Sequence, residues 1–454
     1  MLVAFLLIAA IPDWVPARWM SGDPKTLDLI TQTPINCVLL EKTSWSEVFA
    51  QQAAKRGIAT LGVIHPGGDP LEAARKAVSQ KLSGVVLEGD FDSTSRDRVR
   101  KVLADSRITM VELTSRDRIR FDGDAPVIGT YQGLWPGVED ENAADAKSAP
   151  SGAPWIDTNT GFLRYAHAST NKPIWIANQP PPKANLNVTR YLQAIGDAAM
   201  TGAHWVVALD PDFNQRLLAG DPAALKDWLR IGQNLRFYEE HKDWRAARPH
   251  SQLALVEDAS SGALLSGGIL DMIAVKHTPV LPVPVPKLHS DSMRDAKMAV
   301  NVDPGSLNDH QKEILKAFTR AGGTLLTGPP GWKFPEAKPG QITLEKADLD
   351  KLDEIWKELN SMTGRKNLGA RLFNVSTMLS NLLESPDGKQ VILQLVNYSD
   401  YPVENITVHL LGKFQHARLY RPEAAPKDLS PYEVEDGTGV DVDNMSALAT
   451  LVLE

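Results

Sequence analysis

Acidic residues stand at the ends of several short apolar runs, and these are the side chains best suited to proton transfer. The run GVVLEGDF, residues 84–91, carries Glu88 and Asp90 directly after its β-branched residues. On an extended strand, Glu88 and Asp90 share one face. Mutual repulsion between two such acids raises the pKa of at least one of them, as acid and base catalysis requires. The spacing predicts a catalytic site centred on Glu88 or Asp90.

Two more acids are candidate partners for this pair. Glu112 lies in the next apolar run, ITMVEL, and Asp157 lies in a long loop rich in Gly, Pro and Trp. Long loops of this kind in compact domains are usually functional. The alternative interpretation is that Glu88 and Glu112 form structural ion pairs with nearby arginines, namely Arg18, Arg116 or Arg118.

Other chemistries lack a matching motif. His65 and His167 are not part of an HxH or HExxH pattern, and no histidine–aspartate cluster has metal-ligand spacing. The chain has no GxSxG motif and no Walker loop. We therefore expect neither a metal site nor a cofactor.

The elements that must position the acids alternate between strands and helices. Eight apolar runs are separated by amphipathic segments of helical length, with Ser93 or Thr94 predicted as one N-cap and Gly57 and Gly202 after helix ends. This pattern predicts a (β/α)8 TIM barrel over residues 11–246, with the acids at the carboxyl ends of its strands. A doubly wound open sheet is the rival fold, but no GxGxxG follows the first strand. The runs span residues 15–19, 35–40, 58–64, 84–91, 108–113, 125–131, 172–178 and 203–210.

Two further regions follow the predicted barrel. Residues 247–366 alternate strands and helices again and predict a small α/β domain. From 367 to 454 helical patterns stop, and short strands separated by turns predict an antiparallel β-sandwich.

Composition limits the partners and the cellular compartment. The 454 residues carry a net charge of -8 without a basic stripe, which argues against nucleic acid or an anionic membrane as the main partner. Cys37, the only cysteine, lies in an apolar run and is predicted to be buried. Residues 1–10 have the length of the apolar part of a signal peptide, so we expect a secreted or periplasmic protein; a buried first strand is the alternative.

The order barrel, α/β domain, β-sandwich resembles family 42 β-galactosidases and their relatives with an amidotransferase-like domain. The resemblance implies that residues 247–366 are amidotransferase-like and support a homo-oligomer. They cannot act as an amidotransferase, because the required cysteine nucleophile is absent from this region. The resemblance also places a catalytic Glu after strand four, where Glu88 stands, and another after strand seven, where this chain has Asn178.

The resemblance implies a carbohydrate substrate. Hydrolysis of an O-glycosidic bond needs one protonated acid and one ionised carboxylate, which Glu88, Asp90, Glu112 and Asp157 could supply. Because sugar rings pack on aromatic side chains, tryptophans near these acids are candidate platforms. We expect a glycoside hydrolase acting on a plant or microbial glycan; the alternative is a non-catalytic carbohydrate-binding or scaffold protein. The predicted substrate-binding residues are Trp19, Trp135, Trp155, Gln132, Asn159, Asn178 and Asp210, of which Asp210 could equally form a turn before Pro211.

Overall fold

The computed structural model describes residues 11–106, 108–137, 158–333, 337–364 and 366–454. Among these residues, no helix combines the length and apolar composition that a membrane span requires. The predicted domain boundaries stay predictions, and residues 1–10 lie outside the described part. The chain divides into two compact units, the first comprising Met1–Gly133, Lys172–Tyr191 and Ala203–Glu240, and the second comprising Leu134–Asn171, Leu192–Gly202 and His241–Glu454.

Within its described residues the first unit contains eight parallel strands, and each lies inside one of the eight predicted runs. The first five form one sheet in sequence order and the last three form another. Isolated parallel bridges pair Thr114 with Thr130 and Ala17 with Val207. The strands are β1 (Pro16–Trp19), β2 (Cys37–Leu40), β3 (Ala59–Ile64), β4 (Gly84–Glu88), β5 (Thr109–Leu113), β6 (Ile128–Thr130), β7 (Ile174–Ile176) and β8 (His204–Trp205).

Helices alternate with these strands along the chain. The N-cap of the fourth helix is Asp92, whose side chain accepts from the Ser95 backbone N–H at 2.8 Å, and not Ser93 or Thr94 as predicted. Gly57 follows the second helix with φ 74°, the left-handed conformation expected after a helix end. The helices are α1 (Leu27–Ile30), α2 (Glu47–Ala54), α3 (Pro70–Ser79), α4 (Ser93–Asp105), α5 (Thr160–Ser169), α6 (Val188–Ala199), α7 (Pro211–Leu218) and α8 (Pro222–Glu240).

One hydrophobic cluster fills the interior of the first unit. It draws side chains from β2, β3, β4, β5 and β7 and from residues beside the other strands. Cys37 belongs to it and is fully buried, which confirms its predicted packing role, and burial raises the pKa of its thiol. Every second residue of these strands faces this core, so the strands have a defined inner face.

The second unit contains a four-stranded parallel sheet within the region predicted as α/β. The strand order is β11-β10-β12-β13. Asn308 and Gln311 form a capping box at the start of the second helix of this region. Its elements, after the two-residue strand β9 (Arg248–Pro249), are β10 (Leu253–Glu257), α9 (Ile269–Ala274), β11 (Leu281–Pro284), β12 (Met298–Asn301), α10 (Asp309–Arg320), β13 (Thr324–Thr327) and α11 (Lys346–Thr363).

The carboxyl-terminal part of the second unit is antiparallel, as predicted for this region. Two sheets, ordered β14-β17-β21-β20 and β19-β18-β22-β16-β15-β9, contribute side chains to one shared hydrophobic core. The strands are β14 (Ala370–Phe373), β15 (Met378–Glu384), β16 (Val391–Asn397), β17 (Val403–Leu411), β18 (Ala417–Arg421), β19 (Ala424–Leu429), β20 (Tyr432–Val434), β21 (Gly437–Met445) and β22 (Leu448–Leu453).

Candidate functional site

Charged side chains gather at the carboxyl ends of the first four strands of the first unit. In β2, β3 and β4 every second side chain enters the hydrophobic core. The next position on the same face is polar in each case, and holds Glu41, His65 and Glu88 respectively. Arg18 of β1 completes the group, which we call the rim cluster: Arg18, Glu41, His65 and Glu88.

Arg18 joins the two acids of the rim cluster. Its side chain is only 5% exposed, and one terminal nitrogen, Nη2, forms an ion pair with Glu88 Oε2. The other, Nη1, lies 3.4 Å from Glu41 Oε1. Glu88 itself is 12% exposed, so the guanidinium is its main compensation for lost hydration. Arg18 therefore links Glu41 and Glu88 across the strand ends.

His65 is the exposed member of the rim cluster and is bound to Glu41. Its Nε2 lies 3.1 Å from Glu41 Oε2. The pKa of His65 is raised, first by this hydrogen bond and further by the charges of Glu41 and Glu88, against the opposing effects of burial and Arg18. Burial raises the pKa of Glu41, but the hydrogen bond and charge of His65 and the charge of Arg18 outweigh it, so the net direction is down.

Asp90 belongs to a separate group beside the rim cluster. Its Oδ1 accepts from the Ser115 backbone N–H at 3.1 Å and from the Ser115 hydroxyl at 2.9 Å. Arg118 Nε lies 3.8 Å from its Oδ2. Burial raises the pKa of Tyr131, and the neighbouring charge of Asp90 raises it further. These contacts leave Asp90 accessible but fixed in orientation.

Glu88 and Asp90 do not follow one extended strand, contrary to the expectation from their spacing. β4 ends at Glu88, and Gly89 has φ 118°, a conformation that favours glycine. The backbone therefore turns between the two acids. Glu88 consequently reaches Arg18 of β1, whereas Asp90 reaches Ser115 just after β5.

Glu112 lies on the other face of its strand from the inner core. Val111 and Leu113 on either side of it belong to the hydrophobic core of the first unit, so Glu112 points outward. Its two oxygens pair with Arg96 at 3.3 Å and Arg100 at 3.1 Å, both from α4. The structure does not bring Glu112 together with Glu88. Both residues pair with arginine, as the alternative interpretation expected, but only Glu88 has one of the predicted partners, Arg18.

Two predicted substrate-binding residues are buried in the first unit and make structural hydrogen bonds. Trp19 is 2% exposed, and its indole N–H donates to the Thr26 hydroxyl at 2.9 Å. Asp210 is fully buried, caps α7 through the Phe213 backbone N–H, and accepts from the Tyr191 hydroxyl at 2.7 Å. Burial removes both side chains from contact with a ligand, which corrects their predicted roles.

Gln132 and Asn178 also lie in the first unit and contact backbone groups. The Gln132 amide oxygen accepts from the Arg116 backbone N–H at 2.7 Å. The Asn178 amide nitrogen donates to the Gly133 carbonyl at 2.7 Å. Both side chains are partly exposed, so both stay candidates for contact with a ligand.

The remaining predicted residues do not belong to the first unit or are not described. Trp135 and Asn159 are buried in the second unit, where Asn159 donates to Asp197 Oδ2 at 2.8 Å. Their burial argues against the predicted contact with a sugar. Asp157 and Trp155 lie outside the described residues.

Sequence reasoning missed three members of the rim cluster as site residues. From sequence, Arg18 is expected only as a structural partner of the acids, and no local motif joins Glu41 and His65 to Glu88. In β2, β3 and β4 every second residue faces the core. Continuing this alternation by two residues beyond the last inward-facing apolar residue of each strand places Glu41, His65 and Glu88 on the inner face.

No group of three or more metal-ligating side chains within the described residues is close enough to hold a metal ion. A cleft of about 240 Å³ adjoins Asp90 and extends over Glu112. A larger cavity of about 1030 Å³ lies along α10 in the second unit, and none of the predicted site residues lines it.

No protein-family model matches the chain, and no curated protein matches it in sequence. Among solved structures, α-L-fucosidase isoenzyme 2 from Paenibacillus thiaminolyticus matches with a TM-score of 0.59 and 11% identity, over 97% of this chain and 99% of that chain. The chain shares a glycoside-hydrolase-like fold. A family 42 β-galactosidase from G. stearothermophilus matches with a TM-score of 0.42 and 10% identity, over 91% of this chain and 68% of that chain. Trehalose-6-phosphate hydrolase from Bacillus licheniformis matches with a TM-score of 0.38 and 12% identity, over 98% of this chain and 99% of that chain.

Proposed function

We propose that the chain is a glycoside hydrolase that cleaves an O-glycosidic bond of a plant or microbial glycan at the rim cluster. The observation that carries the proposal is the convergence of Arg18, Glu41, His65 and Glu88 at the carboxyl ends of four consecutive strands. Carboxyl ends of parallel strands are where active sites form in barrels. The fold similarity to a fucosidase supports a carbohydrate ligand.

The proposal includes a closed (β/α)8 barrel for the first unit. Three observations support it: the eight strands are all parallel, single bridges link the two sheets at both of their edges, and one core draws on strands of both sheets. In such a barrel the rim cluster and Asp90 occupy one face, because they follow the carboxyl ends of their strands. The amidotransferase-like character of residues 247–366 and self-association through them are part of the same proposal.

Glu88 is the proposed ionised carboxylate of the reaction. Its ion pair with Arg18 holds the carboxylate in place at the end of β4, where it can attack a sugar carbon or activate water. The proposed proton donor is His65, which is exposed at the strand ends and whose pKa is raised by its hydrogen bond to Glu41. Asp90, held by Ser115 beside this pair, is the proposed acceptor of hydrogen bonds from sugar hydroxyls.

A non-catalytic carbohydrate-binding or scaffold protein is the second candidate. The observation that favours it is the arginine pairing of both strand-end glutamates: Glu88 with Arg18, and Glu112 with Arg96 and Arg100. In addition, strand β7 is followed by Asn178, an amide that cannot serve as nucleophile or acid. Such a protein would keep the glycan-binding face and lose the second catalytic group.

Release of reducing sugar from a panel of polysaccharides and aryl glycosides tests the proposal, and melting temperatures measured with the same panel separate the two candidates. Hydrolysis of any panel member supports the hydrolase. A melting temperature raised by a glycan that is never cleaved would favour the binding protein. A panel that produces neither turnover nor stabilisation would contradict both candidates.

The proposal places the protein outside the cytoplasm, secreted or periplasmic. This part is based on residues 1–10, an apolar segment of signal-peptide length. Amino-terminal sequencing of the mature protein after expression in its natural host tests it. Recovery of Met1 in the mature protein would contradict export through a cleaved signal.

A further inference from the structure

The cleft beside Asp90 in the first unit is unusually rich in arginine. It has a volume of about 240 Å³ and lies where β4 and β5 end and α4 begins. Most of its polar lining comes from Arg96, Arg118, Arg120, Asp90, Glu112 and Thr114. We call it the arginine cleft. It includes Asp90, the residue proposed above to bind sugar hydroxyls.

The positive charges of the arginine cleft exceed the negative ones. Glu112 is compensated twice, by Arg96 at 3.3 Å and by Arg100 at 3.1 Å. Arg118 approaches Asp90 only to 3.8 Å, beyond hydrogen-bond distance. Among the lining residues, three guanidinium groups therefore face two carboxylates, although the whole chain carries a net charge of -8.

Two guanidinium groups keep unused donors. Arg120 donates through Nη1 to two backbone carbonyls, those of Asp117 at 3.4 Å and Ile119 at 2.9 Å. These contacts hold the side chain in place and leave its charge unpaired within the described residues. The Nε of Arg96 is buried and has no acceptor there. An unmet buried donor is costly, so Arg96 keeps hydrogen-bonding capacity that its ion pair with Glu112 does not use.

We propose that the arginine cleft binds an anionic substituent, a carboxylate or a sulfate ester, on the carbohydrate that occupies the rim cluster. The inference is based on the proposed function and narrows its substrate class to acidic glycans. Arginine suits this task because its planar donors match two oxygens of a carboxylate or sulfate at once. Arg118 and Arg120, both exposed, contact the substituent first, and Arg96 receives it deeper in the cleft.

Isothermal titration of the full chain with oligosaccharides of defined charge tests the inference. The probes are galacturonan oligosaccharides for the carboxylate, carrageenan oligosaccharides for the sulfate ester, neutral galactan oligosaccharides and inorganic sulfate. We expect tighter binding of at least one acidic oligosaccharide than of neutral galactan, weakened by added salt because exposed charges are screened. Comparison of the two acidic probes identifies which anion the cleft prefers.

Arg120→Gln and Arg118→Gln are the informative variants, and Arg98→Gln is the matched control. Arg98 is an exposed residue of α4 that does not line the arginine cleft. Each cleft variant should bind the preferred acidic probe about tenfold more weakly, the usual effect of losing a charged hydrogen bond. Binding of neutral galactan should not change in the cleft variants, and the control should match the wild type.

The outcomes separate this inference from the proposed function. Equal binding of acidic and neutral oligosaccharides, or no effect of either cleft variant, would overturn the acidic-glycan inference and leave a carbohydrate site intact. Inorganic sulfate that binds as tightly as the acidic oligosaccharides would reduce the cleft to a simple anion site and overturn recognition of a glycan. If no carbohydrate binds or is cleaved, the inference and the proposed function both fail.

Discussion

The ion pair between Arg18 and Glu88 should contribute to the stability of the first unit, and a double-mutant cycle can measure it. Arg18 is 5% and Glu88 12% exposed, so the pair is close to the buried limit. Removing one partner of a buried pair typically costs 3–5 kcal/mol, because the remaining charge stays without compensation. We expect Arg18→Met to lower the free energy of unfolding by about 3 kcal/mol at pH 7. The coupling energy with Glu88→Gln should be about 2 kcal/mol.

Equilibrium urea unfolding of the wild type, the two single variants and the double variant supplies the four free energies. Hydrogen exchange of peptides that span β1 and β4 assigns the transition to the first unit. The pair Arg56–Asp28, at 3.0 Å with side chains 34% and 72% exposed, is the control cycle. Its coupling should not exceed about 0.5 kcal/mol after solvent screening. A coupling of Arg18 with Glu88 as small as the control value would refute the claim that Arg18 compensates Glu88.

Three further predictions concern titration and capping. Burial, with the charges of neighbouring acids, raises the pKa of Glu257 well above its ordinary value, so the folded state binds a proton that the unfolded state releases. The free energy of unfolding should therefore fall as pH rises above the pKa of the unfolded state, by up to about 1.4 kcal/mol per pH unit. Urea unfolding at several pH values should show that Glu257→Gln removes this fall. The pKa of His65 is raised in the folded state, so this residue stabilises the fold below the pKa of the unfolded state, and the stabilisation is lost as pH rises through the pKa of the folded state. NMR titration of the folded protein should find the pKa of His65 lowered in Glu41→Gln. An unchanged value would contradict the pairing of His65 with Glu41. Asp210→Ala removes the cap of α7 and the acceptor of the Tyr191 hydroxyl hydrogen bond. Calorimetry should show that the free energy of unfolding falls by about 2–4 kcal/mol. A decrease below about 1 kcal/mol would contradict this role of Asp210.

The strands of the first unit could be predicted because their signal is local. Each combines a short apolar run with a break in pattern, and every strand lies inside its predicted run. The helix Pro211–Leu218 was not predicted because its sequence begins as a turn. Asp210 followed by Pro211 marks a turn and a helix start equally well, and only tertiary contact decides between them.

The site could be predicted only in part because its contacts are not local. Glu88 was chosen from its position after an apolar run, yet its partner Arg18 lies 70 residues earlier in the chain. Side-chain alternation predicted that Glu88 and Asp90 share a face, but the backbone conformation of Gly89 breaks the alternation. Sequence periodicity does not report φ, so the different neighbours of these two acids needed a structure.

The central claim is that Glu88 is the carboxylate that acts on the glycosidic bond, and one comparison of rates tests it most directly. The comparison is kcat/KM of Glu88→Gln and of Glu72→Gln on the best substrate of the panel, with both variants checked for an unchanged fold. The two substitutions are chemically identical, and Glu72 is an exposed residue of α3 that belongs neither to the rim cluster nor to the lining of the arginine cleft. We expect Glu88→Gln to lose at least about a hundredfold, the usual contribution of a positioned acid or base, and Glu72→Gln to stay near the wild type. Equal activity of the two variants would contradict the claim.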